Sequence, residues 1–229
     1  MNARWVVLFD WDGTLIESLE IKIRNAAQLF QELLGMDPQS VAASYRQHSG
    51  IPRRDLFMAI CAENGINKLD EDLYQRLSQR FSVKNLEALT DKTVTSLVPP
   101  DTTAALAELR KQGYPLYVSS SAVTEEIRLV ARLWDLEKYF NEILGSATGF
   151  NKGSQHVDYV VRQQHVTHSQ IVFVGDEPTD IHLGKAAGVF MIAKAGTYPP
   201  ARLRDEGADR VITSLGELPE ILNHNRLDE

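Results

Sequence analysis

Six short apolar runs punctuate the chain, and most stop at a small or acidic residue. They are WVVLFD (5–10), PLYVSSS (115–121), EILGS (142–146), IVFVGDE (171–177), GVFMIAKAG (188–196) and RVITS (210–214). Strands buried on both faces read as continuous apolar runs of this sort rather than as alternating ones. Helical patterns fill most of the gaps. AALAELRKQG (104–113) is closed by Gly113, with Arg110 and Lys111 in its last turn; EEIRLVARLWDLEKYF (125–140) and HVDYVVRQQH (156–165) follow. Strands alternating with helices predict an α/β fold, a Rossmann-like parallel sheet with helices on both faces.

One region breaks the rhythm. Residues 17–95 hold no convincing strand, only helical patterns at IKIRNAAQLFQELLG (21–35), RRDLFMAICAENG (53–65) and DEDLYQRLSQRFSVKNLEAL (70–89). The expected organisation is a core of residues 1–16 and 96–229 with an inserted all-helical domain over 17–95. VPPD (98–101) reads as the return hinge, since paired prolines stop a helix. The tail HNRLDE reads as frayed.

Composition narrows the function class. With 43% hydrophobic and 24% charged residues, the chain reads as an ordinary globular protein large enough to bury a core. A formal charge of −7 with no basic stripe argues against nucleic acid as a partner. The single cysteine, Cys61, forbids an internal disulfide and suits a reducing compartment; its apolar helical setting makes it a packing residue. No apolar run approaches the ~20 residues of a membrane span, and charges at Arg4 and Asp10 leave no signal-peptide pattern. A cytoplasmic protein with no membrane partner is expected.

In parallel α/β sheets ligands bind beyond the carboxyl ends of the strands. The residues standing there are Asp10 and Asp12, Ser119 to Ser121, and Asp176 with Asp180; Lys152 precedes the helical stretch at 156–165. Carboxylates gathered at one edge can hold Mg²⁺, a hard cation that takes oxygen ligands. One aspartate can attack phosphorus, and a second can protonate the leaving oxygen and then deprotonate a water. A serine and a lysine can hold the phosphoryl oxygens as charge moves.

DWDGTL, a strand-end serine, a lysine and GDEPTD, in that order, resemble the four motifs of the haloacid dehalogenase superfamily. The helical insertion right after the first motif is similar to the phosphoglycolate phosphatase and beta-phosphoglucomutase group, and the likeness runs through GYPLYVSSS, DLEKYFNEILGS and GDEPTDIHLGKAAGV. The resemblance implies Asp10 as nucleophile and metal ligand. It implies Asp12 as general acid/base, lending its backbone carbonyl to Mg²⁺, and Asp176 as a further ligand. Asp180 would support the metal shell or the lysine, and Lys152 would neutralise nucleophile and phosphate. Ser120 matches the phosphate-binding hydroxyl, with Ser119 and Ser121 competing. An acid at position 12 favours phosphoryl transfer over dehalogenation.

The chain departs from the pattern in places. Trp11 replaces the usual phenylalanine and should point away from the acids by strand alternation. Gly153 stands where many relatives have proline, and Glu177 where serine is common, as a metal-shell or a solvated acid. In the insertion, Arg53 of HSGIPRRDLF falls where phosphomutase relatives grip a second phosphate, a task suited to a guanidinium. Lys22 replaces a histidine of those mutases and reads as a solvated helix residue. The expectation is a Mg²⁺-dependent phosphatase acting on a small phosphorylated metabolite, phosphoglycolate or a sugar phosphate, as monomer or homodimer. A phosphomutase and a catalytically idle binding protein are the alternatives.

Overall fold

The computed structural model describes residues 5–93 and 97–223. The frayed tail expected at 224–229 lies outside them. The chain divides into two compact units, Met1–Glu17 with Val98–Glu229, and Ser18–Leu97.

The first unit is an α/β sandwich. Its strands are β1 (Val6–Phe9), β2 (Leu116–Val123), β3 (Glu142–Ser146), β4 (Ile171–Gly175), β5 (Phe190–Lys194) and β6 (Arg210–Ile212). They form one sheet in the order β3-β2-β1-β4-β5-β6, and every pairing is parallel. The chain therefore runs outward from β1 to β3, then starts again on the other side of β1 with β4. The crevice between β1 and β4 is the switch point at which such sheets bind ligands. Register fixes the level of that crevice: Phe9 pairs with Val174, and the Asp10 N–H donates to the Val174 carbonyl at 2.8 Å.

Period-two alternation splits the strand residues between two cores. Val6, Leu8, Tyr117, Leu144, Ile171, Phe173, Met191 and Ala193 face one way and pack with residues of α7 (Ser154–Gln164), α8 (Pro178–Ala186) and α9 (Pro200–Asp205). Val7, Phe9, Val118, Val174 and Ile192 face the other way and are fully buried as well. Elements α5 (Pro100–Lys111), α6 (Thr124–Leu133) and α10 (Leu218–Asn223) complete the unit.

Two sequence expectations are corrected here. The prolines at 99–100 open a helix rather than stop one: Pro100 takes the first helical position of α5, where its missing N–H costs nothing. The pattern read as one helix over 125–140 breaks at Leu133. Asp135 takes a left-handed conformation (φ 58°), the Asp135 N–H bonds the Arg132 carbonyl, and the Leu136 N–H bonds the Ala131 carbonyl at 2.7 Å. That is a Schellman closure made without glycine, sealed by buried Leu136.

The second unit is all helical: α1 (Leu19–Leu34), α2 (Pro38–Gln47), α3 (Arg53–Glu63) and α4 (Glu71–Thr90). The sequence reading lacked α2, although its start is written in DPQS. Asp37 caps it by accepting the Ser40 N–H at 2.8 Å, and Pro38 sits in the first turn. Phe30, Phe57 and Phe81 stack edge-on at the centre. Cys61 is fully buried among them, and burial pushes its thiol up to about 11, which suits packing rather than reaction. Lys22, expected to be solvated, is instead buried on the inner stripe of α1 beside Ile23 and Ala26.

Candidate active site

Asp10 follows β1 directly and is 5% exposed. Lys152, in the turn that leads into α7, extends its ammonium to Asp10 Oδ1 at 2.5 Å and also pairs with Asp180 Oδ1. Gly153 permits that turn. It adopts φ 101°, which a proline ring, held near −65°, cannot reach. The proline common in relatives is thus replaced along with the backbone conformation it would impose.

Asp180 serves two purposes at once. It lies in the first turn of α8, where its Oδ2 accepts the N–H groups of Asp176 and Glu177 at 3.1 and 3.2 Å. Its other oxygen meets Lys152. Capping and charge pairing with the lysine are both present. Glu177 is buried and shares a reciprocal capping box with Asp180, so it is not a solvated loop acid.

Asp176 follows β4, level with the end of β1. Thr14 donates to its Oδ1 at 2.7 Å, and the Thr197 hydroxyl donates to its Oδ2. No cation pairs with Asp176 among the described residues. Gly13 lies against this carboxylate: φ is +81°, and a Cβ at this position would overlap the Asp176 oxygens. The DGT sequence therefore needs glycine on two counts.

Charge in this cluster is held under strain by burial. Asp10 is raised well above the usual carboxylate range, first by burial; the Lys152 ammonium pulls the other way, and Asp180, Asp176 and Asp12 add to the rise. Asp176 is pushed up to about 8 by burial, then by Asp180 and Glu177, against the two threonine hydroxyls. Burial works against the Lys152 ammonium, yet Asp10 and Asp180 outweigh it and raise its pKa. Carboxylate oxygens of Asp10, Asp176 and Asp180 all lie within 4.8 Å of one another. An all-oxygen, buried, under-neutralised donor set of this kind fits a hard divalent cation.

Asp12 is half-buried and its side chain is not part of that carboxylate cluster. The tight loop around it is closed by Gly13 N–H to the Ile16 carbonyl at 2.8 Å and Leu15 and Ile16 N–H to the Trp11 carbonyl at 3.1 Å. Trp11 is buried, as expected of a packing residue.

The three serines of β2 separate cleanly. Ser119 turns to the inner face, where its hydroxyl meets His156 Nδ1 at 2.9 Å. That histidine is fully buried, and burial, with the Lys152 charge, lowers it to about 4, so it is neutral. Ser120 is buried and accepts the Ala122 N–H at 3.1 Å, while Ser121 is only half-buried. Arg53, in the helical unit, donates to Ser82 at 2.8 Å and Ser78 at 3.3 Å and lies over the Phe81 ring. Sequence reasoning passed over Thr14 as a donor, and Thr197 and Lys194 as site residues. The signal for Lys194 was its place at the end of the strand beside β4.

Residues 7–194 match the family described as haloacid dehalogenase-like hydrolase. This chain belongs to that family. It is a hydrolase of the phosphatase type. It is 26% identical to a phosphoglycolate phosphatase of Chromobacterium violaceum, across 98% of this chain and 100% of the relative. Among solved structures, it resembles a predicted phosphoglycolate phosphatase from Haemophilus somnus 129pt with a TM-score of 0.82 and 21% identity, over 97% and 99% of the two chains. It also resembles a beta-phosphoglucomutase from Clostridium difficile with a TM-score of 0.81 and 15% identity, over 98% and 97%. At those identities the structural likenesses speak for the fold. No helix among the described residues is long and apolar enough to cross a membrane.

Proposed function

We propose that this chain hydrolyses a small phosphate monoester through an aspartyl-phosphate on Asp10. The observation that carries the reading is the buried Asp10–Lys152–Asp180 ion triad at the β1/β4 switch point. Lys152 aims Asp10 and opposes the burial that raises its pKa, and its charge offsets that of the incoming phosphoryl group. Asp10 attacks phosphorus; Asp12 protonates the departing alkoxide and then takes a proton from the water that releases phosphate. Ser120, with Ser121 beside it, steadies the phosphoryl oxygens. Asp10, Asp176 and the Asp12 carbonyl would hold Mg²⁺, with Asp180 supporting them. Bound there, the cation would lower the repulsion between the aspartate and the phosphate.

The helical unit is proposed to act as a cap that excludes water and selects the substrate. Arg53 is a proposed contact for a second anionic group. Its bonds to Ser82 and Ser78 are to neutral hydroxyls, and a carboxylate or phosphate makes bonds roughly twice as strong. Phosphoglycolate, which would offer both anions, is the first substrate to try, with sugar phosphates next. No observation favours the mutase reading, because the likeness to a mutase is one of fold. The test is phosphate release from phosphoglycolate and from p-nitrophenyl phosphate with Mg²⁺. Turnover abolished by EDTA and by Asp10→Asn is expected. Turnover that survives Asp10→Asn, with deamidation excluded, would overturn the nucleophile.

A further inference from the structure

The segment that leaves β5 touches the site at two points that the reaction scheme does not use. Lys194, the last residue of β5, is 7% exposed. Its ammonium donates to the Gly13 carbonyl at 2.9 Å and to Glu17 Oε1 at 3.2 Å. Three residues on, the Thr197 hydroxyl donates to Asp176 Oδ2. Parallel register explains the reach: Gly175 pairs with Ala193, so Asp176 and Lys194 leave neighbouring strands at the same level. The tail then bends at Gly196 and returns Thr197 to Asp176.

The two contacts hold the two halves of one tight junction. Gly13 is pressed against the Asp176 carboxylate with no room for a side chain. Lys194 holds Gly13, and Thr197 holds Asp176. Thr14 takes the other Asp176 oxygen at 2.7 Å, so the carboxylate cannot rotate without losing a donor. Each carboxylate oxygen has two acceptor positions, so the hydroxyls orient the group and still leave lone pairs for a cation.

We propose that Lys194 and Thr197 are positioning residues that set the spacing between the Asp10–Gly13 loop and Asp176, and through it the affinity for the divalent cation. The inference rests on the reading that Asp10 and Asp176 hold Mg²⁺. Groups one bond removed from metal ligands commonly matter by about 10–100-fold in affinity.

The experiment is Mg²⁺ titration calorimetry on the full chain, without substrate, alongside thermal unfolding of the metal-free proteins. Thr197→Val and Lys194→Met are each expected to weaken Mg²⁺ binding about tenfold, with Thr197→Ser restoring wild-type affinity. Glu17→Gln removes only the ion pair to Lys194 and should bind Mg²⁺ as the wild type does. Both weakened variants together should bind little worse than either alone, because they loosen the same contact. Unchanged or tighter binding in folded Thr197→Val and Lys194→Met overturns the proposal, as does a loss in Glu17→Gln equal to that in Lys194→Met. Should one variant fail to fold, the other decides. Wild-type protein that binds no Mg²⁺ refutes the metal reading itself, which is a different result from wild-type binding that the variants share.

Discussion

Lys152 meets Asp10 at 2.5 Å where the two side chains are only 3% and 7% exposed. Removing one partner of a buried pair leaves a charge without compensation and costs about 3–5 kcal/mol. Lys152→Met should lose that much stability in urea denaturation and should lose turnover. Asp10→Asn should lose turnover alone, since it relieves repulsion among three neighbouring acids. A variant pair that lost stability equally would contradict this asymmetry.

Metal binding should depend on pH with a defined sign. Asp176 is pushed up to about 8, so the metal-free protein keeps a proton there at neutral pH. Mg²⁺ has to displace it, and affinity should rise with pH until about 8 and then level off. A raised folded-state pKa stabilises the metal-free protein at low pH, and that contribution fades as pH climbs through the folded value. Thermal unfolding with EDTA should therefore show a falling Tm from pH 6 to 8.5, and Mg²⁺ should restore most at the alkaline end. Calorimetry in two buffers of different ionisation enthalpy counts the released proton.

His156 works in the opposite direction and in another window. Its pKa is lowered to about 4, against 6.5 when unfolded. Its contribution is whole above the unfolded value and is lost as pH falls toward 4, by up to about 3 kcal/mol. His156→Asn keeps a partner for Ser119 and cannot titrate. The difference in unfolding free energy between wild type and variant should shrink on acidification from pH 7 to 4.5; a constant difference would refute the assignment.

Gly13→Ala should be severe. The left-handed backbone alone costs about 1–3 kcal/mol for other residues, and the new methyl would overlap the Asp176 carboxylate. Denaturation and Mg²⁺ titration should both report the loss, the second more strongly.

Arg53→Lys offers a test confined to substrate. A lysine keeps the charge but not the planar fork. KM for a doubly anionic substrate should rise several-fold while KM for p-nitrophenyl phosphate, with one anionic group, stays put. Equal effects on both would mark Arg53 as packing.

The sheet was legible because strands buried on both faces leave uninterrupted apolar runs, and the acids at their ends were legible because such runs end where ligands bind. Other parts needed coordinates for identifiable reasons. Which serine of VSSS faces inward depends on the register of β2, and that register shifts between Ser119 and Val123. Asp135 closes α6 in a conformation usually left to glycine, so the helix end carried no marker. Lys22 reads as solvated by residue type, yet its helix stripe buries it. Lys194 and Thr197 lie far in sequence from what they hold, and no local pattern announces a hydrogen bond across 181 residues, as from Lys194 to Gly13.

The strand order has a consequence for how the molecule comes into being. β1 precedes every other strand, yet one of its neighbours, β4, is separated from it by most of the chain. Asp10 meets Lys152 across 142 residues, and Thr14 meets Asp176 across 162. Contacts of such separation close late and slowly. A nascent chain, or any fragment that ends before β4, carries the DWDGTL segment without Asp176 and Asp180, two of the neighbours that raise Asp10. β1 gains its second neighbour, and becomes an inner strand of the sheet, only once β4 has arrived.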